Sequence, residues 1–247
     1  MTQIVGHRGG RNLWPENSLT GFRKVLGTGI DAVEFDVHLS DAGELLVIHD
    51  ATLDRTAEGS GPVRLVTPEQ RRSLRLKDSA DTIPTLAEVL AVLGEGNCHL
   101  HVELKSDENG APYSGLPERV AATLTRFGLT GRSHMTSFSL DVLDACRAAA
   151  PAIPRLCSIN HKSAQALGLE ETLTAAADRA EIIAVERSLL AEQWDAVLAI
   201  VPLDRLGAWV PNTDEDIGFW LERRTGYLTS DDPVLALAMR DKLARSA

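Results

Sequence analysis

Aromatic residues are scarce in this chain: five Phe, four Trp and two Tyr among 247 residues. Leu, Val, Ile and Ala must therefore fill most of any core, and the apolar fraction of 44% is ordinary for a soluble globular protein. Cysteine is scarce too. Cys98, Cys146 and Cys157 have no metal-ligand spacing, and three cannot all pair. They read as buried thiols of a reducing compartment. No apolar stretch is long enough to cross a membrane. The first ten residues lack the charged-then-apolar pattern of a signal peptide, so the expected location is the cytoplasm. Positive charge is in deficit, with a net charge of −10. That argues against a nucleic-acid partner, which needs a basic footprint, and against residence on an anionic membrane surface. It leaves room for an anionic small molecule, because local cations and a metal reverse the field inside a pocket.

No linker, low-complexity run or short repeat divides the chain, so one domain over residues 1–247 is expected. Short apolar runs alternate with amphipathic segments instead. Strands are expected at 3–6, 31–39, 98–105, 133–138, 155–159, 182–186, 206–210 and 227–230. A further strand at 44–48 follows Ser40-Asp41-Ala42-Gly43, a hairpin-turn sequence, and should extend the second strand antiparallel. Helical faces follow: Leu19, Phe22, Leu26 and Ile30 after Asn17-Ser18, two good caps; Leu86, Val89, Leu90 and Leu93 after the capping box Thr85 to Glu88; Leu116, Val120, Leu124 and Phe127; Leu190, Trp194, Val197 and Leu198. Asp232-Pro233 opens the last helix. Eight strand–helix units close naturally into a (β/α)8 TIM barrel, with an open doubly wound sheet as the structural alternative. The segment 51–83, after the second strand and its hairpin, is the one long irregular stretch, and a loop that long in a compact domain is usually functional, often a lid.

Charged residues stand at the ends of these apolar strands, where they are costly without partners. Side chains alternate along a strand, so Glu34 and Asp36 share one face while Val33, Phe35 and Val37 share the other. On the third expected parallel strand, His99, His101, Glu103 and Lys105 share one face and Leu100, Val102 and Leu104 the other. The apolar rows should face helices, leaving the polar rows to converge inside the barrel at its C-terminal end. Three carboxylates, Glu34, Asp36 and Glu103, would then suit a hard divalent cation. The competing explanation, a solvated acidic patch or ion pairs, loses ground because two neighbouring strands contribute. His7 and His49 each follow an apolar strand, and two imidazoles could take and give a proton near neutrality. Arg8 and Lys105 could bind a phosphoryl group or neutralise the carboxylates. His101 sits deeper, in a supporting or core role, and His38, His99, His134 and His161 read as structural.

These residues resemble the signatures of the glycerophosphodiester phosphodiesterase family. His7-Arg8-Gly9 with Pro15-Glu16-Asn17 is similar to its H-R-G…P-E-N pattern, and Glu34-Phe35-Asp36-Val37 to its E-x-D-V strand. His49-Asp50 with Thr52-Leu53-Asp54-Arg55-Thr56 resembles H-D-x-T-L-x-R-T, and Glu103-Leu104-Lys105 resembles E-x-K. The resemblance implies a TIM barrel with an insertion after His49. It also implies hydrolysis of a small-molecule glycerophosphodiester to sn-glycerol 3-phosphate and an alcohol, with Mg²⁺ or Ca²⁺. It makes His7 and His49 the acid/base pair, Glu34, Asp36 and Glu103 the metal ligands, and Arg8 and Lys105 the phosphate contacts. A neighbouring substrate hydroxyl attacking first, through a cyclic phosphate, would explain the lack of a Ser or Cys nucleophile.

The C-terminal half departs from the pattern. Trp209-Val210-Pro211-Asn212 stands for W-T-V-N and Ser230-Asp231-Asp232-Pro233 for T-D-x-P, while Ser137-Phe138 matches a recurring pair. These positions are expected to line the leaving-group side, with Phe138 and Trp209 as its wall or as ordinary core. The same fold could instead cleave lysophospholipids or sugar phosphodiesters, or bind without catalysis. A lipid would need a wider apolar rim, and 51–83 has few large apolar residues, which favours a soluble substrate.

Overall fold

The computed structural model describes residues 1–246. Nine strands are present among the described residues: β1 Gln3–His7, β2 Ala32–Leu39, β3 Leu45–Val47, β4 His99–Leu104, β5 Ser133–Ser137, β6 Arg155–Ile159, β7 Ile182–Glu186, β8 Leu206–Trp209 and β9 Tyr227–Ser230. All but β3 are parallel, and β1 pairs with both β2 and β9. That double pairing closes eight strands into a barrel and excludes the open sheet. The short β3 pairs antiparallel to β2, Val37 opposite Val47 and Leu39 opposite Leu45. Its turn closes through Gly43 N–H to Ser40 O at 2.8 Å, with Gly43 at φ 87, where glycine is favoured.

Strand parity sorts the side chains as expected. Val33, Phe35 and Val37 of β2, with Leu100, Val102 and Leu104 of β4, point outward into the main apolar core. Phe35 meets Phe22 of the Leu19–Leu26 helix edge-on, ring centroids 5.7 Å apart. Each such side chain stabilises the fold by about 1.5–3 kcal/mol. A separate small cluster, Leu156, Ile182 and Ala184 against Trp209 and Tyr227, involves the alternate positions of β6 to β9. One side of the barrel lumen is thus apolar, whereas Glu34, Asp36, His101 and Glu103 project from β2 and β4.

The helices differ from expectation at their ends. Ser18 alone caps Leu19–Leu26, its hydroxyl accepting from Gly21 N–H. Asn17, at φ 54, is turned to another task, and Gly29 at φ 76 lies between the helix end and Ile30. The segment around Leu190 to Leu198 breaks at Gln193 into Arg187–Glu192 and Trp194–Leu198. Thr85 and Glu88 form the capping box of Leu86–Leu93, and Asp232 accepts Leu235 N–H at 2.9 Å to open Pro233–Ser246.

The insertion is more ordered than its composition implies. It holds a 3-10 turn, Val63–Leu65, and a helix, Pro68–Ser73, with a Thr67/Gln70 capping box. One turn and a half is too short to show helical periodicity in sequence. Its own core joins Leu53, Ala57, Val63, Val66, Leu76 and Ile83 to Leu46 and Ile48. Val47 faces the main core instead, so β3 serves both through its period-two alternation. Buried Arg71 binds Glu44, Glu88 and the Ile83 carbonyl, fixing the insertion to the barrel. No helix among the described residues is long and apolar enough to cross a membrane. The three cysteines are free and buried.

Candidate active site

The turn after β1 does the most local work. Arg8, Gly9 and Gly10 take φ of 50, 81 and 94 in succession, and a Cβ on Gly9 would stand 3.1 Å from the Phe22 ring. This left-handed run aims Arg8 N–H at Glu34 Oε2, 3.1 Å away. The Arg8 guanidinium pairs with Glu16 at 3.1 Å and stands 3.4 Å from Asp36 Oδ2. Left-handed backbone on a non-glycine residue is strain of the sort that persists where the surroundings over-determine it.

Parity brings the three carboxylates together. Glu34, Asp36 and Glu103 each offer an oxygen, and these oxygens lie within 4.8 Å of one another. Glu34 Oε1 and Asp36 Oδ1 are buried without a hydrogen-bond partner. Burial, together with the charges of Asp36 and Glu103, pushes Glu34 well above the usual carboxylate range. Burial works the same way on Asp36, but Lys105, His49 and Arg8 outweigh it and hold that carboxyl below its usual range. Lys105 Nζ lies 2.6 Å from Glu103 and 3.3 Å from Asp36 Oδ1, close enough for attraction. Orphaned acceptors and crowded negative charge fit a hard divalent cation held by all three.

Both candidate catalytic histidines have one ring nitrogen held by a carboxylate. His7 Nδ1 is 2.6 Å from Asp231 Oδ1, and its Nε2 faces Glu34 Oε2 at 3.8 Å. His49 Nδ1 is 2.6 Å from Asp50 Oδ1. Burial lowers the proton affinity of both rings, in His7 against the opposing bond to Asp231 and in His49 against Asp36. Burial raises Asp50 and Asp231, but Arg55 with His49, and His7 with Arg11, pull both down to about 2. Near neutrality each pair is a neutral imidazole on an ionised carboxylate.

A single cavity of about 310 Å³ joins these groups. His7, Arg8, Glu34, His49 and Glu103 line one side; Phe138, Leu156, Ala184, Trp209 and Val210 line the other. Phe138 and Trp209 meet edge to face, centroids 5.7 Å apart at 89°, and Trp209 Nε1–H donates to Ala184 O at 3.1 Å. Asp36, 1% exposed, and Lys105 are not among the lining residues and stand behind the carboxylates they contact. His101 reaches the cavity floor, buried against His134.

Several partners escaped the sequence reading. Asn17 binds Asp36, rather than capping a helix. Arg55 bridges Asp50 and Glu16 with four hydrogen bonds. Asn212 and Asp231 were expected on the leaving-group wall, but Asn212 binds Asp231, and Asp231 binds His7. Barrel closure held the signal: a residue just past the last strand must neighbour one at the end of the first.

The model of the Glycerophosphoryl diester phosphodiesterase family matches residues 7–193. A glycerophosphodiester phosphodiesterase of Caldanaerobacter subterraneus subsp. tengcongensis is 33% identical over 144 residues, 56% of this chain and 58% of that protein. One of Bacillus altitudinis is 34% identical over 145 residues, again 56% and 58%. The chain thus spans about three fifths of the length of these curated relatives. A solved structure from Agrobacterium tumefaciens superposes with a TM-score of 0.90 at 28% identity, covering 99% of both chains. An Oleispira antarctica phosphodiesterase, solved with the product sn-glycerol-3-phosphate, shares the fold at TM-score 0.76 and 24% identity, covering 98% of this chain and 97% of its own. With its strand-end motifs assembled in one barrel mouth, the chain belongs to the glycerophosphoryl diester phosphodiesterase family.

Proposed function

We propose that this chain is a metal-dependent phosphodiesterase that hydrolyses glycerophosphodiesters to sn-glycerol 3-phosphate and an alcohol. One observation carries the reading: two carboxylate-bound histidines share a single cavity with two members of a three-carboxylate cluster. Family membership and a relative that binds the expected product support it.

In this reading Glu34, Asp36 and Glu103 hold Mg²⁺ or Ca²⁺. The cation would polarise a phosphoryl oxygen and offset the charge that develops there. Arg8 lines the same cavity, and Lys105 stands 2.6 Å from Glu103 and 3.3 Å from Asp36 Oδ1, where its charge favours the ionised form of Asp36. One of His7 and His49 takes the proton of the attacking oxygen; the other protonates the departing alkoxide. Each such transfer is worth roughly 10²–10⁴-fold. A substrate hydroxyl is the first nucleophile, giving a cyclic phosphate that water then opens; this accords with a cavity that no cysteine lines and whose own hydroxyls, Thr136, Ser158 and Thr229, are hydrogen-bonded to neither His7 nor His49. The far wall receives the leaving alcohol, and the cavity's modest volume favours a small head group over a lysophospholipid. The whole chain acts as one domain, and its three buried free thiols suit a reducing compartment such as the cytoplasm.

The test is product analysis. Purified protein is incubated with glycerophosphocholine, glycerophosphoethanolamine, glycerophosphoglycerol and lysophosphatidylcholine, under Mg²⁺, Ca²⁺ or chelator. Glycerol 3-phosphate should appear from the soluble diesters only with metal. No release from any of them would overturn the reading, and preferential cleavage of the lysolipid would move it to that substrate class.

A further inference from the structure

Three adjacent strand ends carry three polar residues the proposed chemistry has not yet used in full. Ser230 of β9 lies in register with Gly6 of β1, so Asp231 and His7 follow side by side. β8 neighbours β9, and Asn212 lies three residues beyond its end.

Asp231 is placed with unusual completeness. Its side chain is 1% exposed. Oδ1 accepts from His7 Nδ1 at 2.6 Å and forms an ion pair with Arg11 Nε at 2.9 Å, and Oδ2 accepts from Asn212 Nδ2 at 2.8 Å. The same Asn212 accepts Asp231 N–H through Oδ1 at 2.9 Å, so one amide grips both backbone and carboxylate. Ser230 closes the group, donating to Pro211 O at 2.8 Å. A carboxylate needed only to neutralise Arg11 would not require this, since Arg11 is about one third exposed and reaches solvent unaided.

We propose, building on the phosphodiesterase reading, that Asp231 is a positioning residue that fixes the His7 tautomer, and that Asn212 fixes Asp231. An ionised carboxylate only accepts, so Nδ1 of the neutral ring must carry the proton. Nε2 then keeps its lone pair and faces the carboxylate cluster, where a reacting oxygen would sit. When Nε2 takes a proton from that oxygen, the resulting imidazolium is stabilised by the buried carboxylate, which itself stays ionised.

The test is Asp231→Asn, with Asn212→Ala as the gentler variant should the first not fold. The ¹⁵N shifts of His7 at pH 8.5, where the ring is neutral, report the tautomer without substrate. Wild type should be the Nδ1–H form. In the variants an appreciable Nε2–H population should appear. kcat on a cleaved glycerophosphodiester should fall roughly 10- to 100-fold in Asp231→Asn, with KM, melting temperature and metal affinity within about twofold or a few degrees of wild type. Asp231→Glu should recover part of kcat. An unchanged tautomer, or a loss of rate matched by loss of metal binding and melting temperature, overturns the proposal. Absence of diesterase activity in wild type would sink the functional reading alone, because the tautomer is read independently of it.

Discussion

Asn17 donates its side-chain amide to Asp36 Oδ2 at 2.9 Å, from a backbone held left-handed at φ 54. Its own N–H is given to Arg8 O at 3.0 Å, so one residue ties the turn after β1 to a candidate metal ligand. Asn tolerates this conformation better than most residues. Asn17→Ala should therefore lose twice, through strain and through a buried carboxylate left short of a donor. The expected outcome is metal affinity roughly tenfold weaker and stability lower by about 1–3 kcal/mol. Asn17→Gly separates the two effects: it should recover the strain part of the denaturation midpoint while leaving calorimetric metal affinity weak.

His7→Ala and His49→Ala should each reduce turnover at least about a hundredfold while the circular dichroism spectrum and metal titration stay near wild type. Either variant retaining near-full activity would remove that histidine from the chemistry. The double variant should lose little more than either single one, because residues that act as a unit are not additive.

What the sequence made legible was whatever strand periodicity controls. All nine strands lie where apolar runs end in turns, and the inward placement of Glu34, Asp36 and Glu103 follows from alternation alone. The supports of the site were harder to see because loops have no period. Asn17 looks like a helix cap, yet Ser18 takes that job and frees it for Asp36. Arg55 lies on the insertion, and only the folded chain brings it onto Asp50 and Glu16. His7 and Asp231 are 224 positions apart and become neighbours only through closure between β1 and β9.

Acid should weaken the fold in the window where His38 and His134 resist protonation. Burial, assisted by Lys105, lowers His38 to about 4 against its bond to the His49 carbonyl. Burial, assisted by His99, lowers His134 to about 4. The native state therefore resists protonation of groups that the unfolded chain protonates near 6.5. Between those values the unfolded state binds more protons, so stability rises with pH; it is fully present above about 6.5 and falls as pH drops toward 4. Urea midpoints measured at pH 7, 5.5 and 4.5 should decrease in that order, and His134→Gln should shallow the decline. A midpoint flat across this range would rule out both groups as its cause.

The far wall offers the cleanest route to specificity. Phe138 is 37% exposed and contributes its edge-to-face contact with Trp209 and little core packing. Trp209 also donates to Ala184 O, so its removal disturbs β7 as well as the cavity. Phe138→Ala should lower the melting temperature by only a few degrees, since the aromatic pair is worth about 0.5–1.5 kcal/mol. If the leaving alcohol rests on this wall, KM should rise several-fold for glycerophosphocholine, whose cationic methyl groups gain most from aromatic faces, and change less for glycerophosphoglycerol. Turnover at saturation should remain within about twofold for both, because Phe138 touches none of the groups that move protons. An equal rise in KM for every head group would place the glycerol phosphate half on this wall instead, and an unchanged KM would leave Phe138 as packing for Trp209 alone.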